Sequence, residues 1–183
     1  MTISLSFLKG SHQNLGLGHN FLKHVERTKI LLFIVDICGF QLRQEYNHRS
    51  AFESLVLLNR ELELYNSDLL KKPCLLIVNK MDLPKANKNL KELESCLGDN
   101  EKYEDNLLQN IDSKMIPEKR IEFREIIPIS AEKDSPEFLF TVKKTLRKHL
   151  DELEDDQEEY QNKVRALSME VNAKIYSDDK VIL

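Results

Sequence analysis

Cys74-Leu-Leu-Ile-Val-Asn79-Lys80-Met81-Asp82 runs five apolar residues straight into an amide, a base and an acid. The run is too short for a buried helix, and Leu, Ile and Val fill it on every face. Such a segment fits a strand covered on both sides, as in a parallel sheet, better than a half-exposed alternating one. Residues 30–35 and 126–129 repeat the pattern, with polar residues on either side. Pro128 in the third run has no N–H to give a ladder, which predicts that this strand lies at the sheet edge.

Helical spacing separates the three runs. Leu17, Phe21 and Val25 recur every four residues ahead of the first. Ala51, Leu55, Leu58, Leu62 and Tyr65 make one stripe between the first and second, opened by Ser50 and Glu53 in capping-box spacing. Ala86, Leu90, Leu93 and Leu97 make another, ended by Gly98. Ser135 and Pro136 suit the cap and first turn of a helix carrying Phe138, Val142, Leu146 and Leu150. Strands alternating with helices predict an α/β fold with right-handed crossovers around a three-strand parallel sheet. A helix near residues 101–112, with the segment up to Arg124, reads as an insertion.

The chemistry gathers where the strands end. Loops at the carboxyl edge of an open α/β sheet are its ligand-binding edge. Asp82 there offers a carboxylate able to accept two parallel hydrogen bonds from the N1–H and exocyclic amino group of guanine; adenine has no such donor pair. The stem of Lys80 suits a purine face, and the amide of Asn79 suits a tie between neighbouring loops. Ser130 and Ala131, one crossover later, end the third run and are expected to turn backbone N–H groups toward the guanine O6. Read without a ligand, both segments are ordinary strand-to-helix turns, with Asp82 and Ser130 as local caps.

Composition limits the alternatives. The 183 residues carry a net charge of −4, with 41% hydrophobic and 32% charged residues, as in a globular chain. Residues 1–150 sum to +2 and residues 151–183 to −6, so an RNA-binding surface would have to be a local patch. The longest apolar run is six residues, against roughly 20 for a membrane span. Cys38, Cys74 and Cys96 form no CxxC pair and point to a reducing compartment. The first residues have no basic leader ahead of a long apolar stretch, which argues against a secretory signal, and they make at best a poor mitochondrial presequence. His12, His19 and His24 have no metal-ligand companions and read as packing or loop residues. From residue 151 to 159 seven of nine residues are acidic, and Tyr160, Val164, Leu167 and Val171 follow at a/d-like spacing. This tail, residues 151–183, reads as solvated, acidic and partly helical.

A family resemblance becomes specific over Gly10-Ser-His-Gln-Asn-Leu-Gly16-Leu-Gly18-His19-Asn-Phe21-Leu-Lys-His24-Val-Glu26-Arg27-Thr28, a stretch similar to the one after the second switch motif in Obg GTPases. The apolar run to Asp36, Asn79 to Asp82, and Ile129 to Ala131 follow in that family's order. Over about residues 8 to 150 the chain resembles the later part of an Obg-type G domain, a P-loop-NTPase-like fold. The resemblance implies a sheet order of 2-3-1-4-5-6, in which the three runs are strands four to six. It also implies guanine-nucleotide binding (GTP or GDP) through Asn79, Lys80, Asp82, Ser130 and Ala131, Mg²⁺ as the usual companion, and partners among large-subunit ribosomal RNA and proteins. The implied setting is intracellular, in the mitochondrion or nucleolus.

The departures from the family pattern are equally specific. Five glycines and no Gly-Lys dipeptide leave these residues without a P-loop, and no switch motif or Mg²⁺ ligand can be assigned. The family's D-x-P-G motif would end just before Phe7, placing its Asp on Ile3 and its Gly on Ser6. Asp36-Ile-Cys-Gly39 imitates D-x-x-G but sits after the wrong strand. No catalytic residue is assigned, and phosphoryl transfer by this chain alone is not expected. Two readings follow: a truncated Obg GTPase of ribosome assembly that retains its guanine-recognition half, or a non-hydrolysing module for protein or rRNA contacts. Under the first, the strand at residues 30–35 has lost its inner neighbour, and residues 2–7, where Ile3, Leu5 and Phe7 alternate, are the nearest segment able to cover that edge.

Overall fold

The three apolar runs become the strands of a parallel sheet in the computed structural model, which describes residues 2–3, 22–41 and 48–178. In chain order the elements are β1 (Thr2–Ile3), β2 (Leu31–Asp36), α1 (Ala51–Tyr65), β3 (Cys74–Asn79), α2 (Ala86–Gly98), α3 (Asn100–Asn110), β4 (Phe123–Pro128) and α4 (Pro136–Asp178). Short 3-10 turns, Ser67–Lys71 and Ser113–Met115, follow α1 and α3. The sheet order is β1-β2-β3-β4, all parallel. This matches part of a P-loop-NTPase-like fold, with flanking helices and an added C-terminal helix.

The N-terminal segment meets the expected edge: Thr2 and Ile3 stand opposite Leu32 and Phe33 of β2. The remainder of residues 2–7, like Leu17 and Phe21 of the stripe ahead of β2, lies outside the described residues. Val25 does lie within them and is fully buried beside Leu22. The turn that carries Leu22 and Val25 ends against Lys72, whose ammonium donates to the carbonyls of Val25 (3.2 Å), Glu26 (2.7 Å) and Thr28 (2.6 Å). One cation thereby satisfies carbonyls that a helix end leaves without intrahelical partners. Burial lowers the pKa of Lys72, and the neighbouring Glu26 works in the opposite direction.

Only β3 is covered on both faces through its apolar length. β2 alternates buried and half-buried residues, and Arg124, Glu125 and Pro128 of β4 are exposed. Position accounts for β4, which is the outer strand of the sheet, as Pro128 predicts. Ile129 donates its N–H inward to the Val78 carbonyl at 2.8 Å. In a parallel ladder alternate residues point the same way, so the missing N–H of Pro128 falls on the outer side and costs the sheet nothing.

α1 forms where its stripe and cap demand. Ser50 accepts from the Glu53 N–H at 3.1 Å, and the Glu53 carboxylate accepts from the Ser50 N–H at 2.5 Å. Leu55, Leu58 and Leu62 join Phe33, Val35, Leu76 and Val78 in one core. Truncating a fully buried leucine such as Leu58 to alanine costs about 2–5 kcal/mol in cores of this kind. The other side of α1 is engaged as well. Asn59 donates to the Lys119 carbonyl at 2.8 Å, and the Glu63 carboxylate accepts from the N–H groups of Glu118 (3.0 Å) and Lys119 (2.9 Å).

These bonds, with Arg120, fasten the insertion. Arg120 donates to Asn100 Oδ1 at 2.9 Å and to the Leu97 carbonyl, and its guanidinium lies 4.2 Å from the Tyr103 ring centre. Tyr103 in turn meets Phe52 edge-on at 5.2 Å. Such aromatic contacts add roughly 0.5–1.5 kcal/mol each beyond area burial.

The chain divides into two compact units, Met1–Leu139 and Phe140–Leu183. Ser135 caps α4 by accepting from the Phe138 N–H at 3.3 Å. The helix then runs unbroken for 43 residues, through the acid-rich stretch. Glutamate is a good helix former, and bases on either side of the acidic block make i,i+4 pairs: Arg147 with Asp151 at 2.8 Å and Lys163 with Glu159 at 2.6 Å. Residues 154–169 are exposed throughout.

Candidate functional site

The carboxyl ends of β2, β3 and β4 bring three loops together at one edge of the sheet. Asp36 and Asn79 are ladder neighbours, and the Ile37 N–H donates to the Asn79 carbonyl at 3.1 Å. On the other side the Met81 N–H donates to the Ile129 carbonyl at 3.1 Å. Backbone bonds therefore continue past the strands and hold Asn79, Lys80, Asp82, Ser130 and Ala131 in one place.

The side chains complete the junction. Asn79 Oδ1 accepts from the Ala131 N–H at 3.0 Å, the tie between loops expected of an amide here. Ser130 Oγ donates to Asp82 Oδ1 at 2.5 Å while accepting from the Lys133 N–H at 3.1 Å. The Ser130 bond is the leading cause that holds the Asp82 carboxyl below its ordinary pKa of 3.8; its own backbone N–H and the Lys133 and Lys80 ammonium groups act in the same sense against a small opposing desolvation. Asp82 is an exposed carboxylate. With four lone-pair positions, its oxygens can accept the Ser130 hydrogen bond and further donors at once.

Lys80 adopts the left-handed conformation with φ of 69°, as does Lys85. That costs a non-glycine residue roughly 1–2 kcal/mol, and such positions gather at ligand-binding turns. Its ammonium pairs with Asp36 Oδ2 at 2.6 Å, and this hydrogen bond raises the Lys80 pKa above 10.5. The side chain remains 54% exposed, with its ammonium held by Asp36.

Two features differ from the sequence reading. The N–H groups of Ser130 and Ala131 are engaged within the protein, Ser130 with Asp134 Oδ2 at 2.6 Å and Ala131 with Asn79, rather than turned outward. Asp36 is a working part of the junction: besides Lys80 it accepts from the Cys38 N–H at 2.9 Å. Asp134 and Asp36 were the residues that sequence reasoning missed. Asp134 had a signal, since an Asp four residues after Ser130 suits a capping turn. Asp36 had one too, at the same place in its strand as Asn79. Gly39 serves the turn after Asp36 with φ of 87°, and an added Cβ would lie 2.1 Å from the Arg49 carbonyl oxygen. Among the described residues no group of three or more His, Cys, Asp or Glu could hold a metal ion, and no helix is long and apolar enough to cross a membrane.

No protein-family model matches the chain. Among curated proteins it is 43% identical to GTP-binding protein 10 of Homo sapiens over 172 residues, which is 94% of this chain and 43% of the relative. It is 49% identical to GTP-binding protein 10 of Mus musculus over 145 residues, 79% of this chain and 38% of the relative. It is 50% identical to the GTPase Obg of Syntrophomonas wolfei over 91 residues, 50% of this chain and 20% of that protein. The chain thus spans less than half the length of these relatives.

Proposed function

The chain is homologous to GTP-binding protein 10, of the Obg family, across most of its length, and from that premise we propose that it is the guanine-recognition portion of an Obg-type GTP-binding protein. The single observation that supports this most is the junction at the sheet edge, where Asn79 ties to Ala131 and Ser130 holds Asp82 ionised and exposed. Asp82 takes the N1–H and exocyclic amino group of the base. The stem of Lys80 covers one face of the purine. The Ala131 N–H reaches the guanine O6 once it exchanges its bond to Asn79 for the ligand.

The residues present fit a guanine base and not a phosphate chain. Phosphoryl transfer depends on positioning and charge stabilisation by a P-loop, its lysine and Mg²⁺. Gly-Lys is absent from the 183 residues. Base contacts of about 1.5–3 kcal/mol each, set against association entropy, give an expected affinity near −4 to −6 kcal/mol, high micromolar to millimolar. A part in ribosome assembly, in mitochondrion or nucleolus, belongs to this proposal through the resemblance to the Obg family.

Titration of fluorescent guanosine and adenosine nucleotides against the chain tests it. Guanine is expected to bind and adenine not; equal affinity for both would end the assignment.

A further inference from the structure

Lys80 and Asp82 stand two residues apart in one loop and carry opposite charges, yet each is partnered with a different neighbouring loop. On the β2 side, the Lys80 ammonium meets Asp36 Oδ2 at 2.6 Å. On the β4 side, Asp82 Oδ1 accepts from Ser130 at 2.5 Å. Because β3 lies between β2 and β4 in the sheet, these two contacts draw the side chains apart. The charges still act on one another: Asp82 is among the causes that raise the Lys80 pKa, and Lys80 among those that lower the Asp82 pKa. Lys133, the other cation acting on Asp82, also has an acid of its own, Glu132 at 3.5 Å.

Asp36 is held firmly enough to do this. Its other oxygen accepts from the Cys38 N–H at 2.9 Å, and the next residue, Ile37, donates its N–H to the Asn79 carbonyl at 3.1 Å. Lys80 sits in the left-handed conformation with φ of 69°, a strain that glycine would be spared, so the loop carries a lysine where the backbone alone favours glycine. Freed from Asp36, its ammonium would keep its charge and find a carboxylate two residues on in its own loop. An ammonium has three donors and would occupy lone pairs of Asp82 that the paired donors of a base require.

We propose that Asp36 is a positioning residue: by taking the Lys80 ammonium it keeps Asp82 open to the two N–H donors of a guanine base, a role that rests on the guanine reading of the site. Asp36→Asn preserves an acceptor for the Cys38 N–H and removes the charge that holds Lys80. In the full chain it should weaken guanosine diphosphate binding by about 3- to 5-fold, the range of a partly exposed ion pair. In a Lys80→Met background the same substitution should leave affinity unchanged. Carboxyl-carbon NMR titration reads the position of Lys80 without any nucleotide. The Asp82 pKa should fall further on Asp36→Asn when Lys80 is present than in Lys80→Met, where only a charge is lost. A parent chain that binds guanosine and adenosine diphosphates alike would end the guanine reading, and the Asp82 titration would still report where Lys80 goes. Equal Asp82 shifts in the two backgrounds, or equal affinity losses, would overturn the role of Asp36.

Discussion

Ser130 donates a hydroxyl hydrogen bond to Asp82 across 48 residues of sequence, joining the loops that follow β3 and β4 through the one carboxylate on which base choice would turn. The bond orients the carboxylate before any ligand arrives and leaves it charged. Ser130→Ala should let the Asp82 pKa rise back toward 3.8, because its leading stabilising partner is gone. Carboxyl-carbon NMR titration reads this directly. An unchanged value would mean that Lys80 and Lys133 hold the charge without the serine.

Base preference should follow the carboxylate. Asp82→Asn replaces a double acceptor with a donor and an acceptor, so guanine binding should weaken by roughly 10-fold or more while xanthine gains. Competition titrations on parent and variant measure the ratio. In the parent, guanine binding should persist through mildly acidic pH. A carboxyl with a depressed native pKa makes its ionised contribution above the ordinary value and loses it only as pH falls through the lower one.

Lys80 combines backbone strain with an ion pair. Lys80→Gly removes both, relieving about 1–2 kcal/mol of left-handed strain while losing a partly exposed pair worth no more than about 1 kcal/mol. Stability in urea should therefore stay level or rise, while nucleotide affinity falls. A drop in stability larger than about 1 kcal/mol would show that the Lys80–Asp36 pair carries more of the loop than its exposure implies.

Glu63 governs the insertion. Half-burial pushes its pKa up, but the hydrogen bond from Arg60, the N–H groups of Glu118 and Lys119, and the Arg60 charge together bring it below 4.5. Glu63→Gln should destabilise the fold by about 1–2 kcal/mol at neutral pH. The penalty should vanish as pH drops through the lowered value, because the stabilisation exists only above it. Thermal melts of both proteins at pH 7 and pH 3 compare the two.

Gly39→Ala should cost on the order of 1–3 kcal/mol, since the φ of 87° disfavours any side chain and the new methyl would run into the Arg49 carbonyl. The antiparallel bridge between Phe40 and Arg49 should loosen with it. Faster amide exchange at those two residues is the expected sign.

Strands and helices were legible where periodicity and caps agreed: the runs ahead of Asp36, Asn79 and Ile129, the box at Ser50 and Glu53, and the edge role of Pro128. The exposed outer strand was less legible, because the short apolar stretch of residues 126–129 does not reveal how little covers Arg124 and Glu125. The insertion stayed unplaced since its anchors are side chain to backbone. Nothing local in Asn59, Glu63 or Arg120 tells that they reach Lys119, Glu118 and Leu97. The acid-rich part of α4 resembled a solvated tail because its stabilising pairs, such as Arg147 with Asp151, lie at the borders of the charge block. At the junction, the members of Asn79–Asp82 and Ser130–Ala131 were legible by type. The engagement of the two amide groups depends on Asp134 and on loop-to-loop geometry, which spacing alone does not encode.

Pro128 gives the outer border of the sheet a polarity of its own. A strand approaching β4 from outside would find donors along its lower course and none at the end nearest the junction. Further hydrogen-bonded layers would stop short of the loops. Pro128→Thr would restore the donor and lengthen the ladder that an outside strand could make with β4.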